Sequence, residues 1–128
     1  MPARFFSIDE ANAALEVIRP LMDEAQAIRA RIMQQRPEIW PALARAAGNG
    51  GSPVLSKAIR EFDRLNDIVH QILATGAQIK DLSTGLLDFP ALRQDREVLL
   101  CWKHGEPEVL FWHENDAGFA GRRPISEF

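Results

Sequence analysis

The sequence lacks the features that would place it in a membrane or in an oxidising compartment. Its one cysteine, Cys101, excludes an internal disulfide and a zinc site built from several cysteines. No apolar run approaches the roughly 20 residues that cross a bilayer. The start, Met1-Pro2-Ala3-Arg4, has no signal-peptide pattern. These absences predict a cytoplasmic protein that does not associate with a membrane.

An excess of basic residues is also missing. The net charge is −3; residues 1–76 carry nine basic and nine acidic side chains, and residues 77–128 carry six and nine. A protein that binds a phosphate backbone needs clustered lysine and arginine, because binding releases counterions. Nucleic acid and anionic membranes are therefore not expected partners.

The composition favours one folded domain. The chain has 128 residues, of which 46% are hydrophobic, too many for a disordered protein. We therefore expect a single domain over residues 1–128, with helices at about 7–76 and a sheet at about 77–128.

The first half of the chain reads as two long helices. Ser7 and Glu10 form a capping box, and apolar residues then recur every three or four positions from Ile8 to Ile32. This pattern predicts a helix from about Ile8 to Gln35, bent at Pro20. A second seam follows a glycine-rich connection at residues 48–53; it consists of Leu55, Ile59, Phe62, Leu65, Val69 and Ile72. Gly76 is placed to end that helix, so the pair forms an antiparallel hairpin.

The second half changes to strand-like patterns. Short strands are predicted at 78–81 and 86–89 around a turn at Ser83-Thr84-Gly85, and longer strands at 97–103 and 108–114. The fold class is α+β, with two long antiparallel helices packed on a small antiparallel sheet.

A symmetric four-residue connection at 104–107 fixes the expected register of the last two strands. It places Lys103 opposite Glu108, and Glu97 opposite Glu114. The second pair would need a bridging arginine, a frayed strand end or a cation. In this register Cys101 and His113 lie on opposite faces, so Cys101 is expected to be a buried core residue rather than a reactive thiol.

The C-terminal half carries an ordered series of motifs: Asp81-Leu82, Gly85-Leu86-Leu87-Asp88-Phe89-Pro90, Val98-Leu99-Leu100-Cys101-Trp102, Gly105-Glu106, Trp112-His113-Glu114 and Asp116-Ala117-Gly118-Phe119-Ala120-Gly121-Arg122. With Phe6-Ser7 and Glu10-Ala11-Asn12, this series resembles the prokaryotic family catalogued as domain of unknown function 2203. The resemblance implies a bacterial cytoplasmic protein without an established activity, so no residue role comes with it.

Chemistry is most concentrated where the last predicted strand ends. Acid, imidazole and guanidinium groups lie there among glycines. His113 and Asp116 are candidate ligands for a divalent metal ion, although a structural role for His113 is the simpler interpretation. The candidate ligand-binding residues are Asp88, Trp102, His113, Glu114, Asp116 and Arg122.

Two functions follow from these patterns. The first is a self-associating interaction or small-ligand-binding module, expected as a homodimer because the chain has more apolar surface than one small domain buries. The second is a metal-assisted enzyme that acts on a small anionic metabolite. The sequence contains no catalytic motif that decides between them.

Overall fold

The computed structural model describes residues 4–49 and 53–128, with side chains at all of these except 38–40 and 42–49. Two helices precede five strands: α1 (Ile8–Asn49), α2 (Pro53–Ala74), β1 (Gln78–Asp81), β2 (Leu86–Arg93), β3 (Arg96–Lys103), β4 (Phe111–Glu114) and β5 (Arg123–Pro124). Short 3-10 turns lie at Phe119–Gly121 and Ile125–Glu127. The predicted α+β class is confirmed.

Helix α1 begins as the sequence predicts and ends later. The Ser7 hydroxyl accepts from the Glu10 amide at 3.0 Å, and the Glu10 carboxylate accepts from the Ser7 amide at 2.9 Å, so the capping box is confirmed. The expected end at Gln35 is wrong. The helix continues through Pro37 and Pro41, because a proline removes one backbone hydrogen bond and leaves those of its neighbours in place. The bend at Pro20 stays a prediction.

Helix α2 runs antiparallel to α1. Two ion pairs join the helices, Arg64 to Glu24 at 2.6 Å and Arg31 to Glu61 at 3.3 Å. The predicted connection at 48–53 is replaced by helix at Gly48, Asn49 and Pro53, while residues 50–52 lie outside the described residues. Gly76 follows α2 with φ +100° and its amide reaches the Leu73 carbonyl at 3.0 Å, which confirms the predicted stop.

The seam of α2 is only partly buried. Of its residues Ile72 is fully buried, but Ile59 and Phe62 are 58% and 51% exposed. The prediction that these two residues face α1 is wrong, because α2 turns a neighbouring face, which includes Ala58 and Ile68, toward the core.

The strands form one antiparallel sheet in the order β1-β2-β3-β4-β5. Its inner face supplies core residues from three strands, and side chains of α1 bond the connections between strands. Gln26 donates to the Leu82 carbonyl at 2.6 Å, and Asn12 accepts from the Val109 amide at 2.8 Å. The inner-face core residues are Leu87, Phe89, Ala91, Val98, Leu100, Trp102 and Trp112.

Pro90 lies inside β2 without breaking the sheet. Its carbonyl accepts from the Phe6 amide at 2.7 Å. Since the N–H and C=O positions of a strand residue point to the same edge, the missing N–H faces the side on which β1 has already ended. The strand therefore loses no ladder hydrogen bond at this position.

The predicted register of the last two strands is wrong by one residue. Leu99 pairs with His113 and Cys101 pairs with Phe111, and Glu108 lies outside β4. Glu97 pairs with Leu92 on β2, while Glu114 faces Val98 and bonds Arg96 at 2.6 Å, so the two glutamates do not face each other. The connection spans residues 104–110 rather than four residues, and within it the Glu106 carboxylate accepts from the Lys103 amide at 2.6 Å. A one-residue shift moves every side chain of a strand to the other face.

None of the helices within residues 4–49 and 53–128 combines the length and the hydropathy that spanning a bilayer requires.

Candidate metal centre

Three central strands bring three chemically active side chains to the outer face of the sheet. Asp88 on β2 pairs with Cys101 on β3, and Cys101 pairs with Phe111, two residues before His113 on β4. All three are buried, with 2%, 0% and 3% of their surface exposed. The expectation that Cys101 and His113 lie on opposite faces is therefore wrong, and the register shift is the reason.

The three side chains are close enough to share one ion. His113 Nε2 lies 3.0 Å from Asp88 Oδ1. One ligand atom from each of Asp88, Cys101 and His113 lies within 4.8 Å of the other two. The other ring nitrogen of His113, Nδ1, lies 2.7 Å from the Glu114 carbonyl oxygen.

The hydrogen bonds of His113 fix its orientation. A carbonyl oxygen only accepts, so Nδ1 carries a proton and donates it to Glu114. Nε2 therefore points at Asp88, and a 3.0 Å hydrogen bond requires a proton between these two atoms. A divalent metal ion could replace that proton, since metal-binding histidines usually donate their other N–H to a carbonyl or carboxylate.

Cys101 is not a free nucleophile in this environment. Burial, reinforced by the negative charge of Asp88, raises the pKa of the Cys101 thiol to about 12, against the opposing effect of Arg122. Only the thiolate is nucleophilic, so the neutral thiol is inert near pH 7. The expectation that Cys101 is buried is confirmed.

Arg122 forms a cover beside the cluster. Its guanidinium lies between the rings of Phe111 and Phe119, 4.1 and 4.7 Å from the centroids. Nη2 donates to Glu106 at 2.6 Å and approaches the Cys101 carbonyl at 3.4 Å. Nε is buried with no acceptor among the described residues. The guanidinium charge is therefore already paired with Glu106, and the buried Nε–H is left for a water or a ligand.

The remaining predicted site residues do not join the cluster. Trp102 points into the core, where its indole N–H donates to the Glu106 carbonyl at 2.9 Å. Glu114 projects to the inner face and pairs with Arg96, and Asp116 is exposed in the turn after β4. Of the predicted ligand set, the structure brings together Asp88 and His113, with Arg122 beside them.

Sequence reasoning missed two members of the site. The predicted register places Cys101 on the wrong face, and the sequence pattern places Glu106 only in a turn. The side chain of Glu106 holds both the Lys103 amide and Arg122. The feature of the sequence that points to Cys101 is its position two residues before Lys103, within a strand that is apolar on both faces.

The donor set fits a transition-metal ion better than Mg²⁺ or Ca²⁺. Thiolate, imidazole and carboxylate are the protein ligands of Zn²⁺, whereas Mg²⁺ and Ca²⁺ take oxygen ligands. A thiolate and a carboxylate also balance the charge of a divalent ion. Arg122 adds no net charge, because Glu106 neutralises it.

Comparison with known proteins places the chain without assigning an activity. A family model described as "Uncharacterized conserved protein (DUF2203)" matches residues 4–125. No curated protein and no solved structure matches. The matched range contains Asp88, Cys101 and His113, and also Arg122 beside them.

Proposed function

The chain belongs to the family of uncharacterised conserved proteins DUF2203, and we propose that it is a small-ligand-binding module whose ligand is a divalent transition-metal ion held by Asp88, Cys101 and His113. The observation that carries the proposal is the convergence of these three buried ligand atoms within 4.8 Å. Zinc is the ion whose chemistry suits this mixed set best.

Burial supports a ligand role for these groups. Polar side chains in a sheet core cost free energy unless each finds a partner. Asp88 and His113 form a hydrogen bond with each other at 3.0 Å. The Cys101 thiol is only a weak hydrogen-bond donor, so it contributes little to that pair. A bound ion would engage all three side chains at once and convert the inert thiol into a thiolate ligand.

A catalytic role is the second candidate. Catalytic zinc sites commonly have three protein ligands and keep one position for water or substrate, whereas structural sites have four. The described residues supply three ligands, and Arg122, whose Nε is unsatisfied, approaches the Cys101 carbonyl through Nη2 at 3.4 Å. This arrangement favours the metal-assisted enzyme acting on a small anion over a closed structural zinc site.

Cobalt(II) is the probe for the metal proposal, because cobalt–thiolate bonds absorb in the near ultraviolet. We expect the wild-type protein to bind one equivalent and to show this absorption. Cys101→Ser removes the absorption. His113→Ala weakens cobalt binding at least about tenfold, because even the loss of a residue that only supports a metal ligand typically costs that much. His70→Ala, at an exposed histidine on α2, leaves titration and spectrum unchanged.

Circular dichroism keeps this experiment interpretable. If His113→Ala does not fold, Cys101→Ser still tests the ligand set, because it changes a single atom. A wild-type protein that binds no cobalt, or a Cys101→Ser variant with the wild-type spectrum, would contradict the proposal.

Self-association is supported by a separate observation, the exposed apolar stripe on α2. Ile59, Phe62 and Leu73 are 58%, 51% and 46% exposed. Ile59 and Leu73 lie seven residues on either side of Asn66, so in an antiparallel contact centred on Asn66 each of them meets the other on the second copy, as a twofold axis requires. We therefore propose that a second copy of this chain covers α2.

Light scattering at micromolar concentration tests this contact. The expected mass is twice the 14.4 kDa of the chain. Phe62→Ser is expected to give the monomer mass, because it replaces the largest exposed apolar side chain of the stripe with a polar one. Leu92→Ser, at an exposed apolar residue of β2, serves as the control and stays dimeric. A wild-type mass of 14.4 kDa excludes the dimer.

A further inference from the structure

A small groove opens on the outer face of the sheet, next to the metal centre. It has a volume of about 220 Å³ and is lined by Asp81, Thr84, Leu86, Lys103 and Phe119. Pockets for drug-sized ligands occupy roughly 300–1,000 Å³. The groove is therefore suited to a ligand smaller than a drug-sized molecule.

Its floor is one row of residues across three strands. Asp81 on β1 pairs with Leu86 on β2, and Leu86 pairs with Lys103 on β3. Neighbouring strands lie about 4.8 Å apart, so the α-carbons of Asp81 and Lys103 are roughly 10 Å apart. An acidic and a basic residue thus flank an apolar one, and Phe119 forms a wall.

The ammonium group of Lys103 is available to a ligand. It lies 5.5 Å from the centroid of the Phe119 ring, and it forms no ion pair with a carboxylate of the described residues. Its side chain is partly buried. A half-buried ammonium on an aromatic face binds an anion more strongly than a fully solvated lysine does.

Asp81 presents the opposite charge at the other side. Oδ1 accepts from the Ser83 hydroxyl at 2.6 Å and from the Ser83 amide at 3.0 Å. These hydrogen bonds lower the pKa of Asp81, so its carboxylate is ionised at neutral pH. A ligand with only a negative charge would be repelled by Asp81, and one with only a positive charge by Lys103.

We propose that this groove binds a small zwitterion with an apolar side chain, that is, a free apolar α-amino acid. The carboxylate of the ligand pairs with Lys103, its ammonium faces Asp81, and its side chain packs against Leu86 and Phe119. The metal centre lies two residue pairs away along the same strands, at Asp88 and Cys101. The proposal does not depend on the metal being bound.

Nuclear magnetic resonance titration with three matched probes tests the ligand class. L-leucine has both charges, 4-methylpentanoate lacks the ammonium, and 3-methylbutylamine lacks the carboxylate. We expect L-leucine to shift the amide signals of Leu86, Lys103 and Phe119, and each single-charge probe to bind about tenfold more weakly, the loss typical of one charged hydrogen bond.

Variants assign the contacts. Lys103→Met keeps the alkyl chain against Phe119 and is expected to weaken L-leucine binding about tenfold, as is Asp81→Asn. Lys80→Met, at an exposed lysine of β1, is the control and binds as the wild type does. Absence of shifts with L-leucine, wild-type affinity in Lys103→Met, or equal binding of 4-methylpentanoate and L-leucine would each overturn the proposal.

Discussion

An Asp88→Ala variant is expected to have a free energy of unfolding about 3–5 kcal/mol below that of the wild-type protein. The Asp88–His113 pair is 2% and 3% exposed, and removing the carboxylate leaves His113 Nε2 buried without its partner. Losing one partner of a buried pair costs more than the pair itself contributes, because the remaining group pays its desolvation without compensation. Urea unfolding followed by tryptophan fluorescence measures the difference.

Two comparison variants separate this effect from the loss of a carboxylate in general. Asp116→Ala removes an exposed acid and is expected to stay within about 0.5 kcal/mol of wild type. Asp88→Asn keeps a group that can donate to Nε2, so it should be less destabilising than Asp88→Ala. A loss below about 1 kcal/mol for Asp88→Ala would contradict the buried pair.

Trp102→Ala is expected to lower the free energy of unfolding by about 3–5 kcal/mol and to leave cobalt binding unchanged in the folded fraction. Trp102 is fully buried on the inner face of the sheet, and its indole N–H donates to the Glu106 carbonyl. The variant therefore opens a large cavity and frees a loop carbonyl at the same time. Urea unfolding and the cobalt titration together provide the measurement.

Trp102→Phe is the matched control, since it keeps most of the aromatic volume and loses only the indole N–H. It should be less destabilising than Trp102→Ala. If Trp102→Ala kept near wild-type stability but lost cobalt binding, Trp102 would belong to the ligand site. That result would contradict its place in the core.

Periodicity in the sequence predicted the helices and the class of the fold. The capping box at Ser7 and Glu10 and the stop at Gly76 are local features, and both are found in the structure. The exposed positions of α2 were not predictable, because Ile59 and Leu65 lie on neighbouring faces of one amphipathic helix. Which face turns inward depends on the partner, not on the spacing.

The site depends on the register between β3 and β4, a long-range feature that the spacing of residues alone does not define. Asp88 and His113 were both candidates, and the ladder brings them to 3.0 Å. Cys101 was excluded because a symmetric four-residue turn was assumed. In the structure the connection spans residues 104–110 and the register is shifted by one, while Glu106 bonds the Lys103 amide and Arg122. A strand apolar on both faces gives no hydrophobic signal that reveals such a shift.

The most direct test of the account is diffraction from crystals grown with zinc, recorded at the zinc absorption edge. The account predicts one anomalous peak between β2, β3 and β4, about 2.3 Å from Cys101 Sγ and about 2.0–2.2 Å from His113 Nε2 and an Asp88 carboxylate oxygen. His113 Nδ1 should still donate to the Glu114 carbonyl. Zinc found only at surface residues, with Asp88 and His113 still bonded directly to each other, would contradict the metal centre.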